Sequence, residues 1–377
     1  MTSIIIGFNN TFIEDRPLSG PGYYAIQLLE NILRLSPEQR APFTLKVFAQ
    51  EGTEHHYSDE ARSLIVKCPS VSGRISRVAW EQLLLPARVR REKVDLLLSP
   101  GFVSPLFGAK VMAATIHDMY YRVIPEVVEK FQKQYWRAFI PLSSQVSDIL
   151  FTVSENSRRD IERYIPAARG KVVVTPLASR FTPIESENNQ RRIVAERPYV
   201  LMIANLTPNK NVGRVVEALA ILRDRGRNVD LVHIGIDLRG ELAKSIAAHA
   251  MEDHVRSLGK VDDATLVETA QSSLCVVVSS IYEGFGMPAL EAQALGTPLI
   301  CSNRGALPEV VGDAALMFDP EDAQELASRI SQLIDNPDLQ QQLSALGLAN
   351  ARRFSWELTA SLTLSAFRRE LQRHGLL

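Results

Sequence analysis

The stretch Ser279-Ser280-Ile281-Tyr282-Glu283-Gly284-Phe285-Gly286-Met287-Pro288-Ala289-Leu290-Glu291 joins an apolar run to a helical pattern. Behind it, residues 274–279 (Leu-Cys-Val-Val-Val-Ser) have the length and apolarity of a buried parallel strand. Ahead of it, Pro288 suits the first helical turn, where a fixed φ helps and the missing N–H is not needed. Gly296 then closes the helix, and Pro298 follows two residues later. Glycines before the proline let backbone amides approach a ligand closely. A strand, a glycine-bearing loop and a helix N-terminus together bind phosphate or polarised hydroxyls. Glu283 lies in the loop and Glu291 about one turn into the helix, so both can face one small volume. Ionised carboxylates accept paired hydroxyl donors, which is how sugars and ribose are held. Spacing by itself decides nothing, since 43 acidic residues in 377 give about five such pairs by chance. The strand–loop–helix setting supplies the specificity.

Outward from this stretch, short apolar runs alternate with longer helical patterns along the whole chain, the sign of βα units around parallel sheets. Strands are predicted at 4–8, 44–48, 64–66, 96–99, 111–116, 149–153 and 172–175, then at 199–203, 231–234, 257–261, 274–279, 297–302 and 315–318. Helices of the second series are predicted at 212–223, 241–250, 264–271, 288–295 and 321–333, with a last one at 356–372. Residues 184–197 are polar with almost nothing to bury, and read as a linker. The expected organisation is therefore an α/β domain over 1–184, a second over 198–352, and a terminal helical segment over 353–377.

Composition narrows the function. The 46% hydrophobic and 23% charged content is that of a globular protein, and a formal net charge of −1 gives no nucleic-acid footprint. The first residues lack the basic region and apolar length of a signal peptide, and no apolar run is long enough for a bilayer. Cys68, Cys275 and Cys301 are odd in number and widely spaced, which favours a reducing, cytoplasmic compartment over a disulfide framework or a cysteine zinc site. Ser19-Gly20-Pro21-Gly22, before a helical pattern, lacks the G-x-G-x-x-G spacing of a dinucleotide site, so hydride chemistry is not expected. No Asp-x-Asp occurs, so the usual carboxylate pair for a divalent cation on a diphosphate is absent.

Glu283 and Glu291 match the E-x7-E motif of the family-4 retaining glycosyltransferases, which the chain resembles along nearly its whole length. The resemblance implies a GT-B fold, two Rossmann-like domains facing across a cleft, with the C-terminal helix packing back on the N-terminal domain. It implies a nucleotide-sugar donor, which is a substrate, with no cofactor and no metal. Glu283 would contact the hexose hydroxyls with help from the amides of Phe285, Gly286 and Met287, Glu291 the ribose hydroxyls, and the Leu290 amide the phosphates. Lys210, in Asn205-Leu206-Thr207-Pro208-Asn209-Lys210-Asn211, matches the lysine that neutralises the diphosphate. Where the family usually has an arginine beside or shortly before it, this chain has Asn205 and Asn209, so the second cation is missing or comes from elsewhere. Val261, in Gly259-Lys260-Val261, would lie beside the base. Gly20 and Gly22 match the glycine-rich loop near the donor phosphate, and His117 the histidine that contacts the transferring sugar. Ser154 also fits the family, and on residues alone is equally a helix N-cap.

The run from Glu283 to residue 316 and the loop at 19–24 look like members that transfer mannose or rhamnose in surface polysaccharides such as O-antigen. That resemblance implies a GDP-sugar donor and a glycan or lipid-linked glycan acceptor. Residues 74–93 (Arg74, Arg77, Arg88, Arg90, Arg91 and Lys93, with Trp80 and Leu83-Leu84-Leu85) and 130–137 (Lys130, Lys133, Tyr135, Trp136, Arg137) interleave basic and bulky side chains. Such segments suit the anionic inner face of a cell membrane, or are solvated helix faces with apolar sides turned inward. Two rivals stay open on sequence: a nucleotide-sugar epimerase of the same shape, and a catalytically silent sugar-nucleotide-binding protein.

Overall fold

The computed structural model describes residues 3–71, 73–184, 197–237 and 239–377, with Arg74 and Ile75 described by backbone alone. Most of the expected linker, 185–196, therefore lies outside the described residues. The chain divides into two compact units, Met1–Arg122 with Val128–Leu177 and Ser355–Leu377, and Val123–Val127 with Ala178–Phe354.

The first unit is built on β1 (Ile4–Asn9), β2 (Phe43–Gln50), β3 (Ile65–Cys68), β4 (Leu96–Ser99), β5 (Val111–Thr115), β6 (Ile149–Thr152) and β7 (Val172–Val174), in the order β3-β2-β1-β4-β5-β6-β7. The second has β8 (Tyr199–Ile203), β9 (Asp230–Ile234), β10 (Val255–Ser257), β11 (Cys275–Val278), β12 (Leu299–Ser302) and β13 (Leu316–Phe318), in the order β10-β9-β8-β11-β12-β13. Every pairing is parallel. Each sheet reverses its strand order once, between β1 and β4 and between β8 and β11. Ligands of such sheets bind beyond the carboxyl ends of the strands at that switch point.

Burial explains the apolar runs. Every residue of β4, β5, β6, β11 and β12 is buried, because helices cover both faces of each sheet. Along β11, Cys275 and Val277 enter one core cluster and Val276 and Val278 the other, the period-two alternation of a strand. The three cysteines are buried free thiols.

The terminal helix Trp356–Arg373 belongs to the first unit and packs along the helix Gly20–Arg34. Trp356 meets Tyr23 edge-on with ring centroids 5.9 Å apart, and Thr359 donates to the Pro176 carbonyl at 2.5 Å. The break between units falls at Leu177/Ala178, earlier than the 184 expected. The reason is local: Phe181 packs on the second unit's core, and the Ile184 amide donates to the Ala294 carbonyl at 3.2 Å. A helix at Pro337–Ala351, outside the predicted series, packs against Met287–Ala294. A Cβ on its Gly347 would sit 3.2–3.4 Å from Gln293, so the missing side chain brings the two helices together.

Candidate active site

Two loops leave the switch point of the second sheet, one from β8 and one from β11. After β8 the chain makes a short 3₁₀ turn, Pro208–Lys210, ending at Asn211 in the left-handed region with φ 57°. Turn and loop are laced together. The Ile281 amide donates to the Asn209 carbonyl at 2.9 Å, and the Ser279 hydroxyl to the Lys210 carbonyl at 2.7 Å. Lys210 Nζ therefore reaches Glu283 Oε1 at 2.5 Å, and the Ser280 hydroxyl donates to the same oxygen at 2.7 Å. The pair is mostly shielded, its side chains keeping 21% and 14% of their exposure. Gly305 supports the other side of the loop. Its φ is +61°, and a Cβ there would stand 2.7 Å from the Glu283 carbonyl. Ala306 donates its amide to that carbonyl at 3.0 Å.

The helix Met287–Ala294 begins at Gly286, whose φ of +98° and closeness to Leu307 exclude a side chain. Pro288 sits in its first turn. The Ala289 and Leu290 amides both donate to the Gly286 carbonyl, at 2.9 and 3.3 Å. The Leu290 amide expected at the phosphates is thus engaged in the first helical bond. The amides of Phe285, Gly286 and Met287 have no partner among the described residues, so these three are the donors left to meet an anion or hydroxyl. Gln293 anchors the helix from beneath. Its amide donates to the Val311 and Ala314 carbonyls at 3.1 and 3.2 Å and accepts from Asn350 at 2.7 Å.

Glu291 is 6% exposed, and burial pushes its carboxyl up to about 7 against the pull of Arg180. Arg180 Nε lies 3.0 Å from Glu291 Oε1, and Arg180 also donates to Oε2 at 3.4 Å. Sequence reasoning missed Arg180. It stands singly in Ala178-Ser179-Arg180-Phe181, with no periodic or motif signal to mark it. So each of the two motif glutamates has a basic partner from elsewhere in the chain.

Two expected donor residues are placed differently. Asn205, standing where the family has arginine, accepts the Ile236 amide at 3.1 Å and ties the β8 and β9 loops. Val261 lies in the loop between β10, which ends at Ser257, and the helix Asp263–Ser272, not in a strand at 257–261. Gly259 has φ +69° and its carbonyl accepts the Gly235 amide, which bends the chain out of the sheet.

In the first unit the helix opened by Gly20 and Gly22 brings Tyr24 onto His117, and His117, Gly22 and Ser154 each also have a local partner. His117 follows β5, 8% exposed, its ring edge-on to Tyr24 at 4.9 Å and 5.0 Å from Phe102. Nε2 lies 2.8 Å from the Pro100 carbonyl, which can only accept, so Nε2 carries the proton. Burial pushes the pKa down to about 4, leaving the imidazole neutral. Gly20 opens the helix Gly20–Arg34; Ser19 caps it by accepting the Gly22 amide at 3.4 Å. Ser154 is the N-cap of Glu155–Tyr164. The bulky residues of 74–93 and 130–137 mostly turn inward: Trp80 and Trp136 are each 8% exposed, and Trp136 stacks on Phe102. Leu83, Leu84 and Phe131, at 65%, 57% and 40% exposure, face out, and Arg90, Arg91 and Lys93 of the first segment are exposed as well. Among the described residues no helix is long and apolar enough to cross a membrane.

Residues 183–347 match the family model for glycosyl transferases group 1, and residues 32–179 that for glycosyltransferase family 4. The chain is 32% identical over 376 residues to the O-antigen chain mannosyltransferase B of Escherichia coli, covering 93% of this chain and 96% of that one. It superposes on sucrose-phosphate synthase from Thermosynechococcus elongatus with a TM-score of 0.73 at 18% identity, over 98% and 100% of the two chains. HepE of Anabaena, solved in complex with UDP, gives 0.70 at 19% identity over 97% and 100%. At those identities the two structures establish the fold alone.

Proposed function

Because the chain belongs to glycosyltransferase family 4, we propose that it moves mannose, or a related deoxyhexose such as rhamnose, from a GDP-sugar to a surface-polysaccharide glycan with retention at the anomeric carbon. That it is a GT-B hexosyltransferase follows from the family and the two sheets; neither an epimerase nor a silent binding protein has an observation in its favour. The mannose and O-antigen assignments draw on the Escherichia coli relative.

The observation that carries the donor reading is the contact of Lys210 with Glu283 at the β8/β11 switch point. Transfer breaks the bond between the sugar's anomeric carbon and a phosphate oxygen. A group that neutralises the leaving diphosphate and one that holds the sugar hydroxyls must then be close neighbours, since they read the two sides of one bond. Lys210 takes the first role and Glu283 the second, with the amides of Phe285, Gly286 and Met287 beside them. Glu291, farther into the helix, takes the ribose hydroxyls, and Val261 the base. Gly20, Gly22 and the neutral ring of His117 are assigned to the donor phosphate and the transferring sugar by resemblance.

The acceptor hydroxyl attacks the anomeric carbon from the face the diphosphate leaves, and the departing phosphate oxygen takes the hydroxyl proton. Both glutamates have basic side chains against them, so a divalent ion has little call on either, and we assign the chemistry to Lys210 and loop amides without metal. Leu83, Leu84, Arg90, Arg91 and Lys93 suit a cytoplasmic, peripheral association with an anionic membrane and a lipid-linked acceptor. A panel of GDP- and UDP-sugars tests the reading. GDP-mannose should raise the melting temperature and, with acceptor, yield an α-linked product. Stabilisation by UDP-sugars only would refute the donor assignment.

A further inference from the structure

We infer that Arg180 is a positioning residue of the donor site, holding the Glu291 carboxylate in place with its plane set for the ribose hydroxyls. This rests on the reading of Glu291 as the ribose acceptor. Arg180 engages both oxygens of Glu291, at 3.0 and 3.4 Å, and a third nitrogen, Nη1, meets Asp263 Oδ1 at 3.0 Å. Its own place is fixed: the guanidinium carbon lies 4.8 Å from the centre of the Phe181 ring, Phe181 packs on the core, and the Phe181 amide donates to the Ser179 hydroxyl at 2.9 Å. A two-point hold on a carboxylate sets the orientation of its plane and leaves lone pairs on both oxygens for further donors.

The chemistry gives that hold a purpose beyond packing. A carboxyl as buried as Glu291 tends to keep its proton near neutral pH, and a protonated acid cannot accept two hydroxyls side by side. Arginine stays charged at any working pH, so Arg180 favours the ionised carboxylate throughout and offsets part of the effect of burial. Asp263, the first residue of the helix Asp263–Ser272, acts in the opposite sense on Glu291 and is itself tied up by Arg180. These are the two charged groups acting on Glu291 among the described residues. Losing Arg180 should therefore weaken nucleotide binding most where Glu291 is readily protonated, and progressively less as pH rises.

The test is titration calorimetry of GDP against the full chain at pH 6.5, 7.5 and 9, for wild type, Arg180→Met, Arg180→Lys, Glu291→Gln and the Arg180→Met/Glu291→Gln pair. We expect Arg180→Met to bind GDP about tenfold more weakly at neutral pH, as for loss of a hydrogen bond to a charged group. The deficit should shrink towards pH 9, Arg180→Lys should recover most of the affinity, and Arg180→Met should add nothing once Glu291 is glutamine. Turnover at saturating donor should change little, because the contact is made in ground and transition states alike. GDP binding by Arg180→Met equal to or tighter than wild type, or a deficit constant with pH, overturns the inference. If Glu291→Gln itself binds GDP like wild type, the ribose reading fails instead. Should Arg180→Met not melt cooperatively, the neutral Arg180→Gln alone and combined with Glu291→Gln decides: a GDP deficit that disappears in the Glu291→Gln background supports the coupling, an equal deficit in both overturns it.

Discussion

The two sheets present the same switch-point geometry and furnish it differently. Beyond β8 and β11, charged side chains from separate loops meet: Lys210 on Glu283 at 2.5 Å, and Arg180 on Glu291 in the helix that follows. In the first unit the expected residues answer to the scaffold one by one: His117 to the Pro100 carbonyl, Gly22 to Ser19, Ser154 to the first turn of its helix. The contrast teaches where a motif can be trusted. Opposite charges from distant segments cost desolvation to bring together, and in the second unit they gather at the switch point, where a ligand of such a sheet binds. A capped helix and a hydrogen-bonded histidine are what any fold needs at a strand end.

Lys210→Ala should produce the largest effect. Removing a preorganised group facing a leaving anion lowers kcat/KM about 100-fold, near 3 kcal/mol. Ser154→Ala, in the first unit, should cost about 1 kcal/mol of stability as a lost cap and leave kcat/KM nearly unchanged. Steady-state kinetics and denaturant unfolding of both variants check the pair. Comparable kinetic losses would erase the distinction between the two regions.

Packing gives the next test. Gly347→Val drives a branched side chain into Gln293, beneath the helix that carries Glu291, and should destabilise by about 1–3 kcal/mol. Gly20→Ala meets nothing within 4 Å of the new Cβ and should leave unfolding unchanged. A drop in activity for a fully stable Gly20→Ala would reserve that spot for ligand, and would move the first unit closer in kind to the second.

Much of this was legible in the sequence, for identifiable reasons. Strands buried on both faces, such as β4 and β11, announce themselves as short apolar runs, and the loop from Ser279 to Glu291 carries its glycines, proline and carboxylates in one stretch. The helix Pro337–Ala351 was hidden because its buried side is made of Leu343, Ser344, Gly347, Leu348 and Asn350, too polar and small to show a stripe. Val261 was misplaced because β10 is only three residues long and ends before the Gly259 bend. Arg180 has no local signature, since its meaning lies wholly in a partner 111 residues away.

His117 gives a smaller, pH-dependent effect. Its folded-state pKa is about 4 against an ordinary 6.5, so the unfolded chain takes up the proton first. The stabilisation is whole above about pH 6.5 and is lost as pH falls towards 4, by roughly 2 kcal/mol at pH 5. Thermal melts of wild type and His117→Asn should differ in slope over that window. Parallel slopes would place a charged histidine in the first unit. Chelation should have the smallest effect: after dialysis against EDTA, turnover should stay within about twofold of its original value, because no divalent-ion site is assigned beside the diphosphate. Full loss rescued by Mg²⁺ or Mn²⁺ would overturn the roles given to both glutamates.

The central claim, that one donor lies along the helix Met287–Ala294 with its sugar at Glu283 and its nucleoside at Glu291, is tested most directly by splitting binding from turnover. GDP affinity and kcat with GDP-mannose should be measured on Glu283→Gln and Glu291→Gln side by side. The account predicts that Glu283→Gln keeps GDP affinity within about threefold and loses kcat about 100-fold, while Glu291→Gln loses GDP affinity first. Equal loss of GDP affinity in both variants, or a Glu283→Gln enzyme with wild-type kcat, would contradict it.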